Sequence, residues 1–263
     1  MLLVADLSIV DGVAVIGPLL NSDGLRADLR PQSILSSFSR NPWYAFVVGK
    51  AVIALKIVGI LLVLAAAFLL LSLSWRWASR RWSIPCPSIL AWSLENKVFH
   101  RFNGTRIVLD RLGFQPGQKV LEIGPGPGRL LIPAAKRVLP GGEAVGIDIQ
   151  PKMIERLKRR AHAEGVTNLA TIVGDATNPL VPEASCDIVF LCTALGEIPN
   201  RNAALAQCYR ALKPKGVLSI SEMFGDPHYQ TRSVVRRLAG EAGFRFQSVE
   251  GGWWLYTANF VKT

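Results

Sequence analysis

The sequence predicts a doubly wound α/β fold: a mainly parallel sheet that closes on an antiparallel strand, preceded by a single membrane-crossing helix. Three observations carry this expectation. From Lys119 onward, short apolar runs alternate with longer amphipathic segments, the pattern of successive βαβ units. The last two apolar runs, "RFQSVEG" and "WWLYTANFVK", have no helix between them; a hairpin there adds an antiparallel strand to a parallel sheet. Far upstream, "IVGILLVLAAAFLLLSLSW" (Ile57–Trp75) runs for nineteen residues without a charge, enough to cross a hydrocarbon core at about 1.5 Å per residue.

Taken in order, residues 1–45 mix apolar and polar stretches around the turn signals "NSDG" and "RP" and receive no fold assignment. Residues 46–77 form the transmembrane anchor with its flanks. Lys50 and Lys56 precede the uncharged run and can snorkel to a headgroup layer. Trp43 and Tyr44 stand on one side and Trp75 and Trp77 on the other, as in an interfacial aromatic belt. A buried helix of a soluble core is the alternative, but such helices rarely stay apolar on every side over this length. The start "MLLVADLSIVD" lacks a basic n-region, so the segment reads as an uncleaved single-pass anchor. The compact "RWASRR" after it favours a cytoplasmic C-terminal side. Residues 78–117 are a connector and helical lead-in: the prolines of "IPCPS" oppose helix continuation, whereas "SILAWSLENKVFHRF" and "TRIVLDRLGF" read as helices. Residues 118–263 are the α/β domain.

Thirty Lys and Arg against 19 Asp and Glu give a net charge of +11. No zinc-ligand pattern or RNP-like aromatic motif accompanies it, so nucleic acid is not the expected partner. A basic face toward an anionic leaflet accounts for the charge around the span. For "PKMIERLKRRAH" a solvated helix face is an equal alternative. Cys86, Cys186, Cys192 and Cys208 form no CxxC pair, and their spacing with His100, His162 and His228 suggests no metal site.

The chemistry concentrates in "VLEIGPGPGRL". A strand, a glycine turn and a helix bring a ligand against bare backbone at a strand's C-terminal edge, and Gly124, Gly126 and Gly128 permit positive φ and close approach. The spacing is G-x-G-x-G, not the G-x-G-x-x-G of a dinucleotide fold. Glu122 just before the turn would repel a diphosphate, and Pro125 and Pro127 each remove an N–H such a ligand wants. The turn therefore suits a cationic, amino-acid-like ligand. "VGIDIQ" sets Asp148 at the next strand end, where a carboxylate can accept both hydroxyls of a ribose. "IVGDAT" sets Asp175 at the third, within reach of an adenine's exocyclic amine. Helix capping is the plain alternative for any one of these acids, but not for the set.

"VLEIGPGPGRL", "VGIDIQPKMI", "IVGDATNPL", "LGEIPN" and "LKPKGVLSISE" together resemble the successive motifs of the class I S-adenosylmethionine-dependent methyltransferases, from about Gln118 to the C-terminus. The resemblance implies a seven-stranded, Rossmann-like sheet with its last strand antiparallel, and S-adenosyl-L-methionine as cofactor. It implies Glu122 and the glycine turn against the methionine portion, Asp148 on the ribose, Asp175 with Ala176 on the adenine, and Ile149 and Cys192 packed nearby. Gly196 stands where many relatives carry a histidine, so no general base is carried over; His100 and Glu197 are candidates without assigned roles. Lys215 replaces a usual glycine in a surface turn.

The anchor adds an expectation about the substrate: a lipid-like or membrane-associated small-molecule acceptor, such as a phospholipid amine or an isoprenoid quinone. A soluble small-molecule or protein acceptor, a non-catalytic cofactor-binding membrane module, and, against the turn chemistry, an NAD-dependent oxidoreductase remain the other readings.

Overall fold

A computed structural model describes residues 6–10, 13–17, 42–82 and 104–263. The expected helix around "SILAWSLENKVFHRF", His100 and Cys86 lie outside the described residues. The chain divides into two compact units, Met1–Leu70 and Leu71–Thr263.

The first unit carries a short antiparallel hairpin, β1 (Asp6–Val10) and β2 (Val13–Gly17), with Asp6 opposite Gly17 and Val10 opposite Val13. This is structure that sequence reading left unassigned. Helix α1 (Pro42–Trp82) begins in this unit and ends in the next. Its Phe46–Ala78 stretch, 33 residues with no buried position in its most apolar window, is long and apolar enough to cross a membrane. At 1.5 Å per residue it is about 50 Å long, against a hydrocarbon core of about 30 Å. Its apolar side chains point outward on all sides; Leu55, Leu62, Phe68 and Leu71 are each at least 66% exposed.

The second unit is a seven-stranded sheet in the order β5-β4-β3-β6-β7-β9-β8. Its strands are β3 (Lys119–Ile123), β4 (Glu143–Asp148), β5 (Leu169–Val173), β6 (Cys186–Cys192), β7 (Leu212–Met223), β8 (Phe244–Gly251) and β9 (Leu255–Lys262). Strands β5 to β7 run parallel, and β9 is antiparallel to both its neighbours. The closing hairpin is β8–β9. The chain builds outward from β3 to β4 and β5, then crosses back to lay β6 on the other side of β3. That reversal opens a crevice at the C-terminal ends of β3 and β6.

Side-chain alternation divides the core between the two faces of this sheet. Val120, Ala144, Ile188 and Phe190 pack on one side with α3 (Leu131–Arg137) and α4 (Pro151–Ala163). Leu121, Ile123, Val145, Val189 and Leu191 pack on the other, with α5 (Arg201–Ala211) and α6 (Arg232–Glu241). Helix α2 (Thr105–Arg111), inside the expected "TRIVLDRLGF" helix, closes the first face through Val108 and Leu109. Helix α4 starts on Pro151, whose missing N–H costs nothing at a first turn, and turns Met153, Ile154, Leu157 and Ala161 inward. Asn200 and Thr231 cap α5 and α6 by accepting from the N–H groups of Ala203 and Val234. These helices hold the strand ends, and hence the crevice, in place.

Candidate active site

The crevice holds a cavity of about 380 Å³, within the size range of small-ligand sites. Of the nine residues singled out in the sequence, Glu122, Gly124, Gly126, Asp148, Ile149, Asp175, Ala176 and Cys192 line it. Gly128 does not. It lies under the turn at φ +86°, where a Cβ would come within 2.3 Å of Leu157 Cδ1, so its glycine is required by packing against α4 and by backbone.

The turn itself has no amide to offer a phosphate. Gly124 donates its N–H to Ile147 O (2.8 Å), Gly126 to Asp148 Oδ2 (3.1 Å) and Gly128 to Pro125 O (2.9 Å). Pro125 and Pro127 have none. Arg160 of α4 donates to Pro127 O from below. Phosphate-binding turns work by aiming free N–H groups at the anion; here every one from Gly124 to Gly128 is used internally or missing.

The wall behind the turn is acidic. Glu122 is 2% exposed. One of its oxygens accepts from the Leu131 backbone N–H, while Oε2 is buried without a hydrogen-bond partner. Burial pushes this carboxyl up to about 8, against the pull of the Arg129 guanidinium. A buried orphaned acceptor costs about 1–3 kcal/mol, and a cation arriving in the cavity is the group that would relieve it. Asp148 accepts from both Gly126 and Gln150 N–H. It therefore ties the glycine turn to the end of β4, with lone pairs left on each oxygen; burial raises its carboxyl too. Asp175 is exposed and accepts from the N–H and hydroxyl of Thr177, closing a turn that no helix follows before β6, and it lines the cavity. Ile149, 57% exposed, offers the rim an apolar surface. The Cys192 thiol, raised by burial, accepts from Arg129.

Four cavity residues had no signal in the sequence. Arg129 reaches in from the turn, bridging Thr105 Oγ1 and Cys192 Sγ. Met153 comes from α4. Thr193 sits at φ +54° just past β6, an uncommon conformation for a β-branched residue. Asp226 arrives from the loop after β7. It accepts from the His228 N–H at 2.7 Å, with His228 Nδ1 at 3.7 Å, and burial lifts it to about 6. "GDPH" reads as a turn, and only the fold brings its acid to the cavity. Glu197 also lines the cavity. At Gly196, a Cβ would lie 2.1 Å from His228 O and 2.6 Å from His228 Cβ. The position where relatives carry a histidine is thus filled by the His228 backbone. No group of three or more His, Cys, Asp or Glu among the described residues is arranged to hold a metal.

The donor set fits S-adenosylmethionine. Glu122 Oε2, buried and without a hydrogen-bond partner, would suit a cationic amino-acid end; Asp148 and Asp175 offer acceptors for nucleoside hydroxyls and amine, and Ile149 gives the rim an apolar surface.

Comparison with known proteins agrees. Residues 120–216 match the methyltransferase domain family. Nocamycin O-methyltransferase of Saccharothrix syringae is 34% identical over 116 residues, 44% of this chain and 41% of that protein. Demethylmenaquinone methyltransferase of Symbiobacterium thermophilum is 33% identical over 104 residues, 39% of this chain and 41% of that protein. The chain thus spans less than half the length of both relatives. A solved S-adenosylmethionine-dependent methyltransferase from Aquifex aeolicus superposes with a TM-score of 0.62 at 20% identity, over 68% of this chain and all of that one, which is a likeness of fold. Domain match and strand order converge: residues 120–216 are similar to the methyltransferase domain family, and the second unit shares the fold of the solved S-adenosylmethionine-dependent methyltransferase.

Proposed function

We propose that this protein is a membrane-anchored S-adenosylmethionine-dependent methyltransferase acting on a lipid-like or membrane-associated small molecule. The observation that carries the cofactor assignment is the turn with no free amide set beside the orphaned Glu122 Oε2. The apolar helix α1 supports the choice of acceptor, as does similarity to a relative whose name is that of a quinone methyltransferase.

Bound S-adenosylmethionine supplies an electrophilic methyl group on a sulfonium. The chain's own residues do the rest. Glu122 takes the ammonium end, Asp148 the ribose, and Asp175 with Ile149 and Ala176 the adenine. Alignment and exclusion of water do much of the catalytic work in an in-line displacement. Where the acceptor is a hydroxyl, Asp226 is the cavity carboxylate that takes its proton. Burial raises it only to about 6, so it is ionised at neutral pH and close enough to neutrality to act as a base.

The test is to incubate the protein with native membranes and methyl-labelled cofactor, then separate lipid, protein and soluble fractions. Label is expected in the lipid extract. Label confined to soluble metabolites or to protein would overturn the acceptor class, and absence of label in every fraction would overturn the enzyme reading. The small-molecule relative favours a soluble acceptor as the second reading, which the same fractionation separates.

A further inference from the structure

We infer that Phe224, Trp253 and Trp254 form a docking surface that seats in the headgroup–acyl boundary of an anionic leaflet; the inference rests on the membrane reading of α1. Trp253 and Trp254 are the tip of the β8–β9 hairpin and are 71% and 48% exposed; Phe224, just past β7, is 43% exposed. Their rings touch one another, with centroids 5.6 Å apart for Phe224–Trp253 and 5.7 Å for Trp253–Trp254. Three large aromatic side chains in contact and open to water make a patch, not scattered surface residues.

The patch is held rigid by backbone and by arginines. Phe224 N–H donates to Trp254 O at 2.7 Å. Arg232 donates to the carbonyls of Gly251 and Gly252 at 2.8 and 2.7 Å, fixing the hairpin tip. Arg76 donates to Phe224 O and Asp226 O, with its guanidinium 5.1 Å from the Phe224 ring.

Arg76 selects the occupant. It lies between Trp75 and Trp77 near the end of the apolar Phe46–Ala78 stretch. In a spanning helix this is headgroup depth, where tryptophan and arginine are both favoured. A phenylalanine hydrogen-bonded to Arg76 through its carbonyl is at that depth too, and the two indoles with it. Arginines beside exposed indoles complement the negative cytoplasmic leaflet. Asp226, two residues beyond Phe224, lines the cavity, so an acceptor leaving the leaflet at this surface reaches the site without crossing bulk water.

The test uses the full chain in nanodiscs of phosphatidylcholine and phosphatidylglycerol, with and without acyl-chain bromination, and no cofactor or acceptor. Emission of the double variant W253F/W254F is subtracted from wild type to isolate the two indoles. That difference is expected to be blue-shifted and to fall about twofold or more with brominated lipid, as interfacial indoles do. An unquenched, red-shifted difference overturns the proposal, as does a blue shift without bromine quenching that appears only when protein concentration is raised, which would mean a second copy covers the patch. Four of the other five tryptophans, Trp43, Trp75, Trp77 and Trp82, belong to α1 and report the anchor: background quenched with the difference unquenched removes the docking surface and leaves the span, while neither quenched removes both. Because no methylation is measured, labelled lipid together with an unquenched difference would leave the proposed function standing.

Discussion

Glu122 is a carboxyl kept protonated by its surroundings. Its folded value near 8 lies above the ordinary 4.5, with burial as the main cause. Between those two values the ligand-free protein holds one more proton than the unfolded chain. The Glu122 contribution to stability is therefore present at low pH and lost as pH rises through about 8. A bound ammonium reverses the preference, because an opposite charge favours the ionised form. Calorimetry of S-adenosylmethionine binding at pH 7, in buffers of different ionisation enthalpy, is expected to show release of about one proton. Glu122→Gln should abolish that release and weaken affinity by about 1.5–3 kcal/mol, the worth of a charged hydrogen bond. Equal proton release in both proteins would move the ammonium away from this residue. In the proposed reaction Asp226 has the opposite task. Its carboxyl near 6 is ionised above that pH, so the turnover rate on a hydroxyl acceptor should climb through pH 6 and then level. Asp226→Asn should remove that limb and lower kcat about 10²- to 10⁴-fold, the usual range for a general base, with cofactor affinity unchanged. A variant that keeps the limb would exclude Asp226 as the base.

At the scale of elements, what could be read in the sequence was what neighbouring residues determine. The turn after β3 was legible because a strand, three glycines and two prolines are local instructions, and the acids Asp148 and Asp175 were legible because they end apolar runs. The β8–β9 hairpin followed from two strands without a helix between them. The neighbouring β7–β9 register has a lock that only pairing reveals: Ser219 of β7 is opposite Asn259 of β9 and Ser221 opposite Thr257, and both pairs are hydrogen-bonded inside the sheet. What the sequence hid was assembled across elements. Arg129, Met153 and Asp226 come to one cavity from a turn, a helix face and a distant loop. Gly196 looked like the loss of a histidine; in the fold it is a point where the His228 backbone passes too close for any side chain. Lys215, expected only to alter a surface turn, is exposed and adopts φ +63°, the left-handed region where a glycine costs least.

For the whole molecule, the question is what helix α1, as the proposed membrane span, adds to a domain whose cavity is built mainly by other elements. Most of the cavity is built without α1: its walls come from the turn after β3, the ends of β4, β5 and β6, α4 and the loop after β7, and α1 reaches it through Arg76, which donates to Asp226 O. The gain is in encounter. A tethered domain meets acceptors in its own bilayer as an intramolecular event, at an effective concentration on the order of millimolar for a short linker. The net charge of +11 acts in the same direction on an anionic surface, within a Debye length of about 8 Å at physiological salt. These effects separate cleanly in proteoliposomes. With acceptor lipid placed either in the protein's own vesicles or in protein-free vesicles mixed in afterward, methylation is expected to be at least about tenfold faster in the shared bilayer. Raising the salt should slow the reaction between vesicles while leaving the shared-bilayer rate nearly unchanged, because only the former depends on attraction across water. Equal rates in the two arrangements would mean that the helix fixes location alone and that the acceptor reaches the cavity from solution.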